Sequence, residues 1–378
     1  MILILSLIFI GIGVLLFCLK YLLSFSRQLK LTPPSNPRPD FAILIPARDE
    51  SKVIEDLFKS LKNQTYKVDP SSVYVIVESE SDPTVAIAKE YHFKTIIRQH
   101  PEKQRKGYAL SEAVCAILKQ KQFDLYFIFD ADNSLDKNFF KEMLKTYEKG
   151  YDIGIGCRKI KNLTNATAVG SGLIFTIVNV LMNHTYSRRG LNCVASGTGY
   201  YISGKIINRL KDFPFHTMTE DYEISLFAAI HNYTTFYNKD AVFYDAQPET
   251  YSQYFLQRAR WEKGYFEARR HYSFKLLKNS CFSLFIGVYD FIFIVLGLIL
   301  LLINFAIINP IFILVEIAAI YLILMFFTAL LLKVEKYHLS FILKLKTLLL
   351  HPLLLLTYIP CLFVAIFKRN LAWHRIDH

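Results

Sequence analysis

The sequence has little that would build a disulfide scaffold or a zinc site. Its six cysteines (Cys18, Cys115, Cys157, Cys193, Cys281, Cys361) are scattered, and none forms a CxxC pair. So placed, they read as small buried hydrophobes. No internal repeat or low-complexity segment is present. The formal charge is +12, yet no recognisable nucleic-acid-binding module accompanies it. Nucleic acid is therefore not an expected partner, and the basic balance points to membrane lipids or a phosphorylated substrate. Charge is missing altogether from Met1 to Leu19, and there is neither a basic leader before that run nor a small-residue cleavage site after it. This argues against a cleaved signal peptide.

What is present is segregated. The chain of 378 residues is 53% hydrophobic, and the apolar material lies at its two ends. Ile2–Phe25 is long enough to cross a hydrocarbon core of about 30 Å. Arg27, Lys30 and Arg38 follow it, which by the positive-inside rule puts the next domain in the cytoplasm. Phe282–Ile308 and Ile311–Leu332 read as two further spans separated by Asn309-Pro310, with Asp290 and Glu316 as bundle-lining carboxylates. Tyr337–Leu350, with Lys344 and Lys346, reads as an in-plane amphipathic piece. Pro352–Phe367 is short for a span and reads as crossing, as re-entrant, or as part of a segment that divides differently around Pro352 and Pro360. The expected organisation is an N-terminal anchor (1–26), a cytoplasmic catalytic domain (40–250), an interfacial helix region (251–280), a C-terminal transmembrane region (281–367) and a tail (368–378). The protein is thus expected to be integral to a membrane, the plasma membrane being the natural one, with Leu31–Pro39 as a stiff, proline-rich linker.

Between the apolar ends, short apolar runs alternate with helical patterns. Phe41–Ile45, Val73–Val77, Thr95–Ile97, Leu125–Phe129 and Ile153–Ile155 read as buried strands. Val53–Leu61, Thr84–Glu90, Tyr108–Leu118 and Phe139–Tyr147 read as helices. The alternation predicts an α/β domain with a largely parallel sheet, whose ligands bind beyond the carboxyl ends of the strands. Polar clusters stand at those ends: Pro46-Ala47-Arg48-Asp49-Glu50, Glu78-Ser79-Glu80 and Asp130-Ala131-Asp132.

Asp130 and Asp132 can both reach one hard cation, Mg²⁺ or Mn²⁺, shared with substrate phosphates. A turn capping the next helix is the competing explanation. Thr217 and Glu220 match a capping box ahead of Tyr222–Ile230, which leaves Asp221 unexplained. A carboxylate there suits a general base toward a hydroxyl. In Tyr251–Phe274, Gln257, Arg260 and Trp261 share a helical face and Arg258 adds charge. The segment suits an interfacial helix, a diphosphate clamp, or both. Ser196-Gly197-Thr198-Gly199 permits close approach of the backbone to a ligand.

Taken in order, Pro46-Ala47-Arg48-Asp49-Glu50, Asp130-Ala131-Asp132, Thr219-Glu220-Asp221 and Gln257-Arg258-Ala259-Arg260-Trp261 resemble the processive members of glycosyltransferase family 2, the cellulose, chitin, hyaluronan and poly-N-acetylglucosamine synthases. The resemblance covers roughly Phe41 to Ala268. It implies a GT-A fold and inverting transfer from a nucleotide-sugar donor, a UDP-sugar, to a growing β-linked polysaccharide. It implies a metal on Asp132 with Asp130, and Asp221 as general base with Glu220 beside it. The donor would be held by Pro46, Ala47, Arg48, Glu50, Glu78, Lys106, Asp130, Gln257, Arg258, Arg260 and Trp261. The acceptor would lie against Gly197, Thr198 and Trp261. Glu78 stands where the family usually has an acidic pair after the second strand, one residue shorter here, so the identity of the donor is left open. The membrane part is small beside the larger synthases, which leaves room for an accessory export subunit. Two other readings stand beside this one: transfer of a single sugar to a lipid-linked or cell-envelope acceptor, and a non-catalytic membrane scaffold or transporter.

Overall fold

The computed structural model describes residues 2–22, 31–36, 38–272, 293, 296–301, 303–304 and 310–368. An eight-stranded sheet runs in the order β3-β2-β1-β4-β7-β6-β8-β5. Its strands are β1 (Phe41–Pro46), β2 (Val73–Val77), β3 (Lys94–Ile97), β4 (Leu125–Ile128), β5 (Ser134–Leu135), β6 (Ile153–Ile160), β7 (Tyr200–Ser203) and β8 (Thr235–Asp245). The first four pair in parallel. The sheet is mixed rather than largely parallel, because β7 runs antiparallel to both β4 and β6, and β5 antiparallel to β8. The short strand Tyr200–Ser203 follows a loop with positive φ at Gly197 and Gly199, which turns the chain back against β4.

Both faces of the sheet are covered. One carries α2 (Ile54–Lys62) and α5 (Phe139–Glu148), whose apolar stripes bury Leu57, Phe58, Phe139 and Phe140 against Ile43, Val75 and Phe127. The other carries α4 (Lys106–Leu118) and α9 (Glu220–Ile230), packed through Leu110, Val114, Ile224 and Leu226. Continuous β-branched and aromatic runs such as Val73–Val77 are buried throughout, as a sheet covered on both sides requires. Gly107 marks a tight contact, since a Cβ there would collide with the carbonyl oxygen of Phe215.

Two features depart from expectation. Ala166–Arg188, read as part of an ordinary soluble domain, is an apolar helical stretch with a π-helical turn at Val178–His184. Much of it is buried, and Gly170 lets Leu354 and His351 of a C-terminal helix approach closely. In addition, Phe341–Leu356 is one helix running through Pro352, followed directly by Tyr358–Phe367. The break expected before Pro352 falls instead at Thr357, whose hydroxyl donates to Leu354 O at 2.6 Å. Phe341–Phe367 is then long and apolar enough to cross a membrane, as are Ala166–Arg188 and Ile317–Glu335. Pro310–Glu335 forms a single helix that contains Glu316. Large apolar side chains such as Leu322, Phe326, Phe341 and Phe367 are exposed along these helices, a surface suited to lipid. The N-terminal helix spans Ile2–Leu22. Arg27, Lys30, Asp290 and the tail beyond Lys368 lie outside the described residues, as does most of Phe282–Ile308.

Candidate active site

Five polar loop or helix-start segments meet above the carboxyl ends of β1, β2 and β4. After β1, the Ala47 N–H bonds Ile76 O at 2.8 Å, and the Glu50 carbonyl accepts the N–H groups of Val53 and Ile54, both at 3.0 Å. These bonds fold Pro46–Glu50 back over the sheet, with Asp49 at φ 56°. Arg48 then reaches Glu78 at the end of β2, at 3.0 Å. Buried Arg98 holds Glu78 from the other side at 3.4 Å and also pairs with Glu112 at 3.1 Å. Glu78 is thereby fixed in orientation, with charge compensated on two sides.

Lys106, at the start of α4, projects across this floor. Its Nζ lies 2.6 Å from Asp130 Oδ1, 2.7 Å from the Gly197 carbonyl and 3.5 Å from Glu220 Oε1. Burial pulls the lysine pKa down, but the Asp130, Glu220 and Asp221 carboxylates outweigh it and hold the group above the usual lysine range. It stays charged.

Asp130, Asp132 and Asp245 bring carboxylate oxygens within 4.8 Å of one another. Asp245 ends β8 and has no local signal in the sequence. It is brought in by the parallel pairing of β6 with β8, which also places Arg158 on it. Asn133 Nδ2 donates to Asp245 at 2.8 Å and to Asp132 at 3.2 Å. Asp132 is raised well above the usual carboxylate range, by burial first and then by the charges of Asp245 and Asp130. Three crowded carboxylates with hard oxygen donors fit a divalent cation, which would remove their mutual repulsion. Arg158 is the fixed compensating charge. Replacing it by Met should leave Asp245 buried without its counter-charge, costing about 3–5 kcal/mol of metal-free stability. Thermal unfolding in detergent checks this.

Glu220 and Asp221 open α9. The capping box expected between Thr217 and Glu220 does not form. Glu223 instead accepts the Thr217 N–H at 3.0 Å, and the helix is capped at Thr219 with no side-chain bond. Glu220 is therefore free to face Lys106. Burial raises its pKa, against Lys106, with Asp221 and Asp130 adding to the rise. Asp221 is raised by burial too, offset in part by the Tyr222 and Gly197 N–H groups and by Lys106.

The helix Tyr251–Tyr272, here α10, forms the remaining wall. The Arg260 guanidinium makes no hydrogen bond or ion pair among the described residues, and it faces Glu220 and Asp130 electrostatically. Gln257 Oε1 is buried with no hydrogen-bond partner among the described residues. Trp261 packs edge-on to Phe175 at 5.6 Å. Arg258 is turned away from the carboxylates. It donates to the Tyr358 hydroxyl at 2.9 Å and the Ser171 carbonyl at 3.1 Å, and packs 4.3 Å from the Trp261 ring. It ties α10 to the helices that carry Ser171 and Tyr358, and it lines the cavity as well. Thr198 is displaced from its expected role. It is fully buried, and its hydroxyl bonds Asn133 and accepts the Asp130 N–H at 2.8 Å. It shapes the Asp130–Asn133 loop from beneath and does not line the cavity.

Every residue given a catalytic, donor, acceptor or metal role from the sequence, Thr198 excepted, lines one cavity of about 1620 Å³. Its inner end is the carboxylate floor, and its far wall is apolar, with Leu324, Phe327, Ile359 and Leu362 from the C-terminal helices. Arg98, Arg158, Asp245 and Glu262 line it as well, and sequence reasoning missed all four.

This is the geometry of a nucleotide-sugar transferase domain of GT-A type, and the family model for Glycosyltransferase like family 2 matches residues 37–264. The chain belongs to that family. Among curated relatives, it is 23% identical over 257 residues to the "Probable glycosyltransferase YdaM" of Bacillus subtilis (strain 168), covering 65% of this chain and 60% of that protein. It is 21% identical over 280 residues to the poly-beta-1,6-N-acetyl-D-glucosamine synthase of Staphylococcus aureus, covering 70% of this chain and 66% of that protein. A solved structure of similar fold is the mannosyltransferase PcManGT from Pyrobaculum calidifontis, in complex with GDP-Man and Mn²⁺. Its TM-score is 0.60 at 14% identity, covering 98% of this chain and all of that one.

Proposed function

We propose that the chain transfers a sugar, with inversion, from a UDP-sugar to a growing β-linked glycan at a membrane surface. The observation that carries this reading is the convergence of two acidic sets on one cavity floor, Asp130-Asp132-Asp245 and Glu220-Asp221, joined by Lys106. Mg²⁺ or Mn²⁺ would be held by Asp130 and Asp132 with Asp245, and it would neutralise the departing nucleoside diphosphate. The structure of PcManGT, which is described with GDP-Man and Mn²⁺, is consistent with such a site.

The chain's own residues do the rest. Arg48 and Glu78 frame the nucleotide end. Lys106 and Arg260, which has no partner among the described residues, place positive charge where the diphosphate would lie. Asp221 takes the proton from the acceptor hydroxyl as its oxygen attacks the anomeric carbon. One displacement then gives a β-linkage from an α-linked donor. In this reading residues 1–26 anchor the chain, 40–250 form the catalytic domain on the cytoplasmic side, 251–280 lie at the interface and 281–367 are membrane-embedded.

A second reading, a single transfer to a lipid-linked acceptor, is favoured by the apolar far wall of the cavity. Product length separates the two. Purified chain given radiolabelled UDP-glucose or UDP-N-acetylglucosamine should yield a ladder of products. Products of one added sugar only would overturn processive synthesis.

A further inference from the structure

On the face of α10 that follows Arg258 by one turn stands Glu262. It is 5% exposed and lines the same cavity as Asp221 and Trp261. Arg258, Glu262, Tyr265 and Arg269 recur at helical spacing and so share a face. Either arginine is placed to neutralise Glu262, yet each is bonded elsewhere. Arg258 is bound to Tyr358 and Ser171, and Arg269 donates to the Tyr222 hydroxyl at 3.1 Å. The Glu262 carboxyl makes no hydrogen bond or ion pair among the described residues. Burial pushes its pKa up to about 7, with Arg269 and Arg258 opposing. A buried carboxyl without a partner costs stability unless something else supplies donors.

Its surroundings say what that donor is. Trp261 and Tyr265 flank it in sequence, and Tyr265 packs edge-on to Tyr222 at 4.7 Å. Aromatic faces beside a carboxyl suit a sugar ring, whose apolar C–H face lies on the aromatic and whose hydroxyls donate to the carboxyl. Resting on the proposed transfer reaction, we infer that Glu262 is an acceptor-binding residue. It accepts hydroxyl hydrogen bonds from the terminal sugar of a neutral carbohydrate acceptor and so holds that sugar over Asp221. A phosphate in the same place would bring an anion against Glu262 and Asp221, while the nearby Arg258 and Arg269 are already bonded elsewhere. The chain should therefore reject a bare lipid phosphate as acceptor. The sugar head can belong to a free glycan or to a glycolipid, since the chemistry at Glu262 is the same.

The test uses full-length chain in detergent. Trp261 is one of only two tryptophans, so Trp373→Phe leaves it as the sole reporter, beside the residue in question. In that background, fluorescence titrations with cellotetraose, chitotetraose, a short-chain alkyl glucoside and farnesyl phosphate compare free glycan, glycolipid and lipid phosphate. At least one sugar probe should bind, and farnesyl phosphate should not. Glu262→Ala should weaken sugar binding about tenfold or more, the loss expected for a hydrogen bond to a charged group. Glu262→Gln, which keeps an acceptor oxygen, should recover part of it. The donor KM for UDP release should stay unchanged in both variants. Sugar binding unaltered in Glu262→Ala, a donor KM that rises with it, or binding of farnesyl phosphate in place of sugars would overturn the inference. Absence of metal-dependent UDP release would count against the transfer reaction, while the fluorescence titration would still judge Glu262.

Discussion

Asp221→Asn should lower sugar transfer by about 10²–10⁴-fold, the range for loss of a positioned general base, while nucleotide binding is retained. The amide keeps the shape and the backbone contacts of the first turn of α9 but cannot take a proton. The pH profile sharpens the expectation. Burial raises the Asp221 pKa, and its partial offset by Lys106 and two N–H groups does not reverse the rise. In the proposed reaction the active form is the carboxylate. Activity should thus increase with pH across an acid limb that lies above the usual carboxylate range, and that limb should disappear in the variant. Initial rates of UDP release across pH, with UDP affinity measured alongside, decide the matter. A variant with wild-type rate would remove Asp221 from the chemistry.

Chelation should have an effect of similar size. EDTA is expected to abolish transfer, with Mn²⁺ or Mg²⁺ restoring it, because a metal held by Asp130 and Asp132 would supply several kcal/mol of charge stabilisation to the leaving diphosphate. A readout independent of turnover follows from the crowding of Asp130, Asp132 and Asp245. A cation that relieves their repulsion binds the folded state alone. At a concentration about 100 times its Kd it should stabilise the protein by about 2.7 kcal/mol. The thermal midpoint should rise with Mn²⁺ in the wild type and stay fixed in Asp132→Ala.

The parts of this molecule legible in its sequence are those with local causes. Val73–Val77 is buried on both faces and reads as a strand at its true limits. Tyr251–Tyr272 keeps its helical spacing through Gln257, Arg260 and Trp261. Asp130 and Asp132 announce themselves by following a strand. Asp245 and Arg158 do not, because their meeting depends on β6 and β8 pairing in parallel across a long stretch of chain. The capping box misled for a related reason. Thr217 and Glu220 have the right spacing, but Lys106, distant in sequence, faces Glu220, and Glu223 takes the backbone donor. Arg258 was hidden in the same way, since its partners Ser171 and Tyr358 belong to two helices whose packing no motif encodes.

The central claim is that the carboxylate floor of this one cavity is where metal and nucleotide meet. An experimental structure of the full chain with Mn²⁺ and UDP tests it most directly. The account predicts an ion held by carboxylate oxygens of Asp130 or Asp132 next to the diphosphate, with the nucleotide between Arg48–Glu78 and Arg260. Nucleotide bound elsewhere, or bound here with no ion on those carboxylates, would contradict it.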